Sequence, residues 1–247
     1  MKQMTAIIPA RAGSIGVPRK NIVPIGVHPL IAYSIVACKL SKRINRIIVS
    51  TEDEEIAEIA RSYGAEVPFM RPKEYSENDS RDVEFLNHFF DNINVEEAAF
   101  IRPTTPLRSP FILDKAIDVY YENKSLITSL RSLHKANSSP FKMFGVKENI
   151  CHGFFKDYNG IENYSNYPRQ FFPNAYEGNG HIDIVKREVV KNGDTFGDKI
   201  YAFVVDKITD IDVPFDLEIL NLQINTDKDL LTKHLRRYKN EKNICYC

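Results

Sequence analysis

The stretch "IIPARAGSIGVPRKN", Ile7 to Asn21, decides how the rest of this 247-residue chain is interpreted. Its apolar start predicts a buried β-strand, and the two glycines that follow predict a loop where that strand ends. Three cationic side chains, Arg11, Arg19 and Lys20, lie in or just after this loop. Ligands of open α/β sheets bind where strands end and loops begin. The stretch therefore predicts a cationic, anion-binding loop at one edge of a sheet.

This loop is neither of the two common phosphate-binding loops. A Walker loop places Gly-Lys-Ser/Thr four residues after a first glycine, and that pattern is missing from the sequence. A dinucleotide loop has a further glycine where Arg11 stands and opens directly into a helix, which Pro18 and Pro24 prevent. Gly13 and Gly16 still allow the backbone to approach a phosphate closely. From spacing alone, a solvated basic loop without a ligand stays an open alternative.

Strand and helix patterns alternate along the chain. Strands are predicted at 5–10, 44–51, 125–133 and 199–206, with a strand that ends in a polar, proline-bounded loop at 97–106 and a strand followed by a short helix at 180–190. Helices are predicted at 29–40, 52–67 with a short strand at its end, 82–93, 109–123 and 226–242, and the segment 210–224 is predicted to start as an acidic turn and become a helix. This alternation predicts an α/β fold of three layers, Rossmann-like, with a mostly parallel central sheet.

The periodicity disappears between about residues 135 and 177, where Asn, Ser, Pro, Tyr and Phe are frequent. A stretch of this length without helical period is typically functional or an interface. We therefore expect residues 1–247 to form a single domain, with 135–177 as an inserted segment.

Composition excludes several classes of protein. Lys+Arg and Asp+Glu number 33 each, so no overall basic charge predicts binding to nucleic acid or to an anionic membrane. Apolar runs are too short for a membrane span, and the N-terminal one is too short for a signal peptide. The four cysteines are too scattered to predict a disulfide framework or a zinc site, with Cys245 and Cys247 expected on a frayed tail. We expect a cytoplasmic protein with reduced thiols.

A second strand ends in the loop "FIRPTTPLRSP", residues 100–110. Arg102 and Arg108 flank its threonines, and its prolines stiffen it. Two arginines near a strand end favour a ligand-facing loop. The alternative is a turn with a helix cap, in which Ser109 is the N-cap and Pro110 the first helical residue.

The segment predicted at 210–224 begins with a turn that contains acidic residues. In extended backbone the carboxylates of Asp210 and Asp212 project to one side, an arrangement that suits Mg²⁺. The alternative is an acidic N-terminus that stabilises the helix. Asp216 lies inside the helical pattern, so a structural role is predicted for it. His181 follows a Gly-Asn-Gly turn without an evident metal-binding partner, which favours a structural histidine.

Five stretches resemble the motifs of one family, in the family's order and over roughly residues 4–224. They are similar to the cytidylyltransferases that activate nine-carbon sugar acids, namely the CMP-sialic acid, CMP-legionaminic acid and CMP-pseudaminic acid synthetases. The stretches are "IIPARAGSIGVPRKN", "IIVSTEDEEIAEIARSYGAEV", "RPTTPLR", "YPRQFFPNAYEGNGHIDI" and "DIDVPFDLEI".

The resemblance implies a reaction of CTP with a nonulosonic sugar acid that gives a CMP-sugar and pyrophosphate and uses Mg²⁺. It implies CTP binding by Arg11, Ser14, Lys20, Asn21, Asp79 and Ser80, with Arg11, Lys20 and Asp210 catalytic. It implies metal binding by Asp210 and Asp212, and substrate binding by Arg102, Thr104, Arg169 and Glu177. It also implies a homodimer in which 135–177 is a dimerisation arm or lid.

Three residues depart from the family pattern. Ile15 stands where the family often has lysine, so the loop either grips a triphosphate less tightly or uses Arg19 instead. Arg102 replaces a glutamine, and Glu177 replaces an arginine. Our hypothesis is that Arg102 recognises the sugar carboxylate or pairs with Glu177; the alternative is that both residues are peripheral.

Two other functions remain open at this point. One is a different sugar nucleotidyltransferase, of the CMP-Kdo type or one that makes NDP-sugars. The other is a catalytically weak nucleotide-binding relative, which the loss of lysine at Ile15 supports.

Overall fold

The computed structural model describes residues 2–226 and 231–235. The strands are β1 (Met4–Pro9), β2 (Pro24–Ile25), β3 (His28–Pro29), β4 (Ile44–Ser50), β5 (Glu97–Phe100), β6 (Ser129–Lys135), β7 (Phe144–Lys147), β8 (Ile150–Gly153), β9 (Tyr176–Lys186) and β10 (Ile200–Val204). The helices are α1 (Leu30–Leu40), α2 (Glu54–Ser62), α3 (Asp82–Asn92), α4 (Pro110–Asn123), α5 (Arg187–Lys191) and α6 (Pro214–Thr226).

The central sheet has six strands in the order β10-β6-β9-β5-β1-β4. β1 pairs in parallel with β4 and β5, and β6 pairs in parallel with β10. β9 runs antiparallel to both β5 and β6. The mostly parallel sheet is therefore confirmed, and the carboxyl ends of the five other strands meet at one edge.

Helices cover both faces of the sheet, which confirms the predicted three layers. Ala6 and Ile8 of β1 pack with α1 and α4 on one face. Ile7 points to the other face and packs with the aromatic side of α3. Central strands of a parallel sheet are buried on both faces, which explains why β1 reads as a continuous apolar run.

The ends of α2 follow from its sequence. Asp53 is the N-cap and accepts a hydrogen bond from the backbone N of Ile56 at 2.9 Å. Two glutamates in the first turn complement the helix dipole. Gly64 stops the chain from continuing as a helix, with a φ of +91° that glycine adopts without strain.

Some boundaries differ from the sequence prediction. β6 begins at Ser129, because residues 123–126 form a turn. β9 begins at Tyr176, so it takes in the end of the irregular segment. The short strand expected after α2 is a single parallel bridge between Ile48 and Glu66. The predicted helix at 226–242 lies mostly outside the described residues, as do Cys245 and Cys247.

Residues 135–175 contain the β7–β8 hairpin and three short 3-10 helices. Their aromatic rings form a cluster of their own, in which Phe141 and Phe172 stack with centroids 5.2 Å apart. Within the part of the chain that the structure describes, no helix is long and apolar enough to cross a membrane.

Candidate active site

A cleft of about 420 Å³ opens at the carboxyl edge of the sheet. The loops after β1 and β5, the segment between α2 and α3, and the acidic turn before α6 line it. The cleft brings together most of the residues predicted for the site: Arg11, Ser14, Lys20, Asn21, Ser80, Arg102, Thr104 and Asp212.

The glycine loop and the acidic turn are directly joined. A Cβ on Gly16 would lie 2.1 Å from the carbonyl oxygen of Asp212, so the two backbones touch. Lys20 Nζ donates to the carbonyl of Ile211 at 2.5 Å and lies 3.4 Å from Asp212 Oδ1. Glycine is thus needed at Gly16 because protein backbone approaches it, a reason that sequence spacing did not reveal.

Asn21 stabilises the loop from inside. Its side chain is buried, and Nδ2 donates to the carbonyl of Arg11 at 2.8 Å. Arg11 in turn donates to the carbonyl of Glu77, which links the loop to the segment before α3. Ser80 Oγ donates to the carbonyl of Glu74 at 2.8 Å and closes that segment into a turn.

Arg19 does not replace the lysine absent at Ile15. The backbone of Arg19 is left-handed, with φ 50°, and its side chain points toward the start of α2. There it lies 3.3 Å from Asp53 and 2.6 Å from Glu55. The side chain of Ile15, which is 77% exposed, remains at the rim of the cleft.

Sequence reasoning missed Arg71, a cation in the floor of the cleft. Its Nε and Nη2 donate to the hydroxyl and carbonyl of Ser50 at 3.0 and 2.6 Å, and its guanidinium carbon lies 4.7 Å from the centroid of Phe85. Burial lowers the pKa of Arg71 to about 10, an effect that Glu52 opposes, so the group stays charged at neutral pH. Its position in the sequence could have indicated this role, because Arg71 follows the short segment after α2 that forms a bridge with β4. The backbone N of Arg71 donates to the carbonyl of Thr51, the residue directly after β4.

Arg102 pairs with Asp82 at 2.9 Å and with Asp183 at 3.4 Å. Glu177 lies elsewhere, with Oε2 3.6 Å from Nε2 of His134, so the pairing with Glu177, one of the two possibilities in the hypothesis for Arg102, is wrong. Asp82, which lines the cleft, is a second residue that the sequence did not reveal.

Arg108 is buried and does not face a ligand, contrary to the expectation for its loop. It donates to the carbonyl of Gly180 at 3.1 Å and to the carbonyls of His181 and Arg102. Burial lowers its pKa to about 10. Arg108 therefore ties the loop after β5 to β9.

His181 is a structural histidine, as predicted. Its Nε2 accepts a hydrogen bond from the backbone N of Ser109 at 3.2 Å. Burial, with a smaller effect of Arg108, lowers its pKa to about 3, so the ring is neutral. Ser109 and Pro110 take the predicted N-cap and first positions of α4, but the Ser109 hydroxyl makes no capping bond within the described residues.

Four predicted residues lie outside the lining of the cleft. Asp79 is exposed beside it. Asp210 accepts hydrogen bonds from Thr105 Oγ1 at 3.3 Å and from the backbone N of Ile211 at 3.1 Å. Arg169 lines a second cavity of about 400 Å³ and donates to the carbonyl of Ala136 at 3.2 Å. The fourth is Glu177, beside His134 on β6.

Two aspartates in and next to the acidic turn have different environments. Asp216 accepts hydrogen bonds from the backbone N of Asp212 at 2.8 Å and of Val213 at 2.9 Å, so its predicted structural role is confirmed. The side chain of Asp212 is 77% exposed at the cleft. Residues 2–226 and 231–235 contain no cluster of three or more His, Cys, Asp or Glu that could hold a metal by itself.

A cationic glycine loop and an acidic turn thus meet at the carboxyl edge of a three-layer α/β fold, the edge at which open α/β sheets bind their ligands. Residues 5–153 match the family described as "Cytidylyltransferase". Post-translational flagellin modification protein B of Campylobacter coli is 32% identical over 244 residues, which cover 94% of this chain and 99% of that protein. The chain belongs to the cytidylyltransferase family and is thus a nucleotidyltransferase.

Two further similarities agree with this family. CMP-N,N'-diacetyllegionaminic acid synthase of Campylobacter jejuni is 32% identical over 248 residues, covering 91% of this chain and 96% of that protein. The solved structure of a CMP:2-keto-3-deoxy-manno-octonic acid synthetase complexed with CTP covers 92% of this chain and 99% of its own, with a TM-score of 0.69. At 15% sequence identity the latter shows the shared fold alone.

Proposed function

We propose that this protein transfers CMP from CTP to a nonulosonic sugar acid and releases pyrophosphate. The contact of Lys20 with the acidic turn carries the proposal, because it places a cation and an exposed carboxylate in one cleft of a cytidylyltransferase. A relative that is 32% identical is named for legionaminic acid, which is a nonulosonic acid. We propose the class of the acceptor substrate from that name.

The charges of the cleft suit a nucleoside triphosphate. Arg11, Lys20 and Arg71 all line it, and the glycine loop exposes backbone between them. Several fixed cations around one cavity attract a polyanion and stabilise it through hydrogen bonds to charged oxygens. We assign Ser14, Asn21, Asp79 and Ser80 to the nucleotide, and Thr104, Arg169 and Glu177 to the sugar acid.

The chain's own groups have three parts in the transfer: they bind the substrates, stabilise charge and accept a proton. The anomeric hydroxyl of the sugar attacks the α-phosphorus, an O–P bond forms, and the bond to pyrophosphate breaks. Arg11 and Lys20 stabilise the negative charge that develops on the phosphoryl oxygens. Asp210 accepts the hydroxyl proton, directly or through a water.

We assign Asp210 and Asp212 to a magnesium ion. Mg²⁺ in nucleotide enzymes is bound by one or two carboxylates together with substrate phosphates and waters, so a larger ligand cluster is not required. Asp210 and Asp212 would hold it, and the ion would neutralise charge on the phosphate oxygens.

The test is a pyrophosphate-release assay with CTP, UTP, ATP and GTP against sialic, legionaminic, pseudaminic and Kdo-type acids, with Mg²⁺ and after chelation. CTP with a nonulosonic acid should give the highest kcat/KM, and chelation should abolish release. A preference for Kdo or for another nucleotide supports a different sugar nucleotidyltransferase. No CTP consumption with any acid supports a binding-only relative.

Ile15→Lys is expected to lower the KM for CTP about fivefold, because an added charge near a phosphate contributes ~1 kcal/mol in solvent. Ile15 lies at the rim of the cleft and is exposed, so a lysine there fits without repacking. Ile15→Gln is the uncharged control. The gain should shrink in 0.5 M salt, and a gain equal for lysine and glutamine would contradict the electrostatic reason.

We also propose that residues 135–177 form an inserted segment of a single cytoplasmic domain and pack against a second copy of the chain. The β7–β8 hairpin exposes Phe144, Val146 and Ile150, and exposed apolar side chains of this kind mark interfaces. Sedimentation at micromolar concentration should give twice the 28.4 kDa chain mass. Val146→Glu should shift the mass to that of a monomer, whereas a monomeric wild type would overturn the dimer.

A further inference from the structure

A network of four charged side chains extends from the wall of the cleft into the sheet. Both terminal nitrogens of Arg102 donate to Asp82 Oδ2, at 3.0 and 2.9 Å, and Nη2 also lies 3.4 Å from Asp183 Oδ2. Arg131 continues the network, with Nε 3.9 Å from Asp183 Oδ1. Two cations and two carboxylates thus balance, so the charge of Arg102 is compensated before a substrate binds.

The position of Arg102 is fixed from below. Asp183 on β9 is only 3% exposed, and burial raises its pKa while Arg102 and Arg131 lower it. The guanidinium carbon of Arg102 lies 4.1 Å from the ring centroid of Phe100, and that of Arg131 lies 4.6 Å from Phe196. Moving Arg102 would take a cation away from a buried carboxylate, which is strongly unfavourable.

Asp82 faces the cleft. Its side chain is 41% exposed and lies beside Arg102 in the lining. A sugar carboxylate at this wall would meet Asp82 as well as Arg102, so repulsion offsets attraction. A hydroxyl or an N-acyl amide carries both a donor and an acceptor, and can therefore pair with the carboxylate and the guanidinium together.

We propose that Asp82 and Arg102 form a specificity-determining pair that receives an uncharged hydroxyl or N-acyl group of the sugar acid, whose carboxylate binds elsewhere. This inference rests on the proposed function and states which part of the sugar acid the Arg102 wall of the cleft contacts. It replaces the hypothesis that Arg102 recognises the sugar carboxylate. Asp183 and Arg131 are positioning residues that act through Arg102.

Asp82→Asn distinguishes an Arg102 that receives an uncharged group from an Arg102 that binds the sugar carboxylate, because the KM for the sugar acid is expected to change in opposite directions. If the pair receives an uncharged group, Asp82→Asn removes a charged hydrogen-bond acceptor. The KM for the sugar acid, the acceptor substrate, should then rise about tenfold or more, and the KM for CTP should stay within about twofold of the wild type. If Arg102 binds the carboxylate, the same substitution uncovers its charge and lowers the acceptor KM. Initial rates of pyrophosphate release, with each substrate varied at saturation of the other, give both constants.

Asp91→Asn is the matched control. Asp91 lies on the same helix as Asp82 and pairs with Lys191 away from the cleft, so both KM values should stay unchanged. Asp183→Asn should raise the acceptor KM alone. Its effect combined with Asp82→Asn should be smaller than the product of the two, since both act through Arg102.

The outcomes are distinct. An unchanged or lowered acceptor KM in Asp82→Asn overturns the pair while the proposed function stands. A wild-type enzyme that releases no pyrophosphate with any nonulosonic acid overturns the proposed function and the pair with it.

Discussion

Asp212→Ala is expected to lower kcat/KM for pyrophosphate release by about 10²–10³-fold, because it removes a carboxylate that would hold the magnesium ion, and with the ion the charge stabilisation at the phosphoryl group. The side chain of Asp212 is 77% exposed and forms an ion pair with Lys20 at 3.4 Å. A surface change of this kind alters the free energy of unfolding by no more than about 0.5 kcal/mol. Activity should therefore collapse while the melting temperature is retained, as measured by initial rates and thermal denaturation.

Two neighbouring aspartates serve as controls for this prediction. Asp206→Ala removes an exposed carboxylate outside the cleft and should leave both activity and stability unchanged. Asp216→Ala removes the acceptor for two backbone N–H groups at the start of α6 and should cost about 1 kcal/mol. That corresponds to a drop of about 2–4 °C in melting temperature for a domain of this size. Near-normal turnover by Asp212→Ala would contradict the proposed catalytic turn.

The layers of the fold could be predicted because hydrophobic period depends only on local sequence. β1 reads as a buried strand and α2 as a capped amphipathic helix, and both are so. The antiparallel direction of β9 could not be predicted in this way, since apolar alternation is the same in either direction. Its direction depends on how residues 135–175 return the chain to the sheet, and that segment has no helical period to indicate a crossover.

The site could be predicted where it follows strand ends. The carboxyl ends of β1 and β5 meet at one edge, so Arg11, Lys20 and Thr104 come together. The direction in which a side chain points could not be predicted from its position in the loop. Arg102 and Arg108 stand six residues apart in one loop, yet one lines the cleft and the other is buried beneath it.

Gly16→Ala is expected to reduce kcat/KM about 100-fold. An added Cβ would lie 2.1 Å from the carbonyl oxygen of Asp212, which is backbone and has no rotamer to change. The glycine loop and the acidic turn must then separate by roughly 1 Å, a misplacement that can cost about 10²-fold in rate. Overpacking of this kind should also destabilise the fold by about 1–3 kcal/mol.

Gly13→Ala is the matched comparison, because among the described residues, Gly13 and its two chain neighbours aside, no heavy atom lies within 4 Å of a Cβ built at Gly13. Its melting temperature should equal that of the wild type. If the KM for CTP rises in this variant, the added methyl group obstructs a phosphate that approaches the backbone, since it disturbs no protein contact. Wild-type kinetics in Gly16→Ala would show that the joined loop and turn do not need their observed spacing. The pair of variants thus separates a glycine required by protein packing from one available to the nucleotide, two roles that look identical in "RAGSIG".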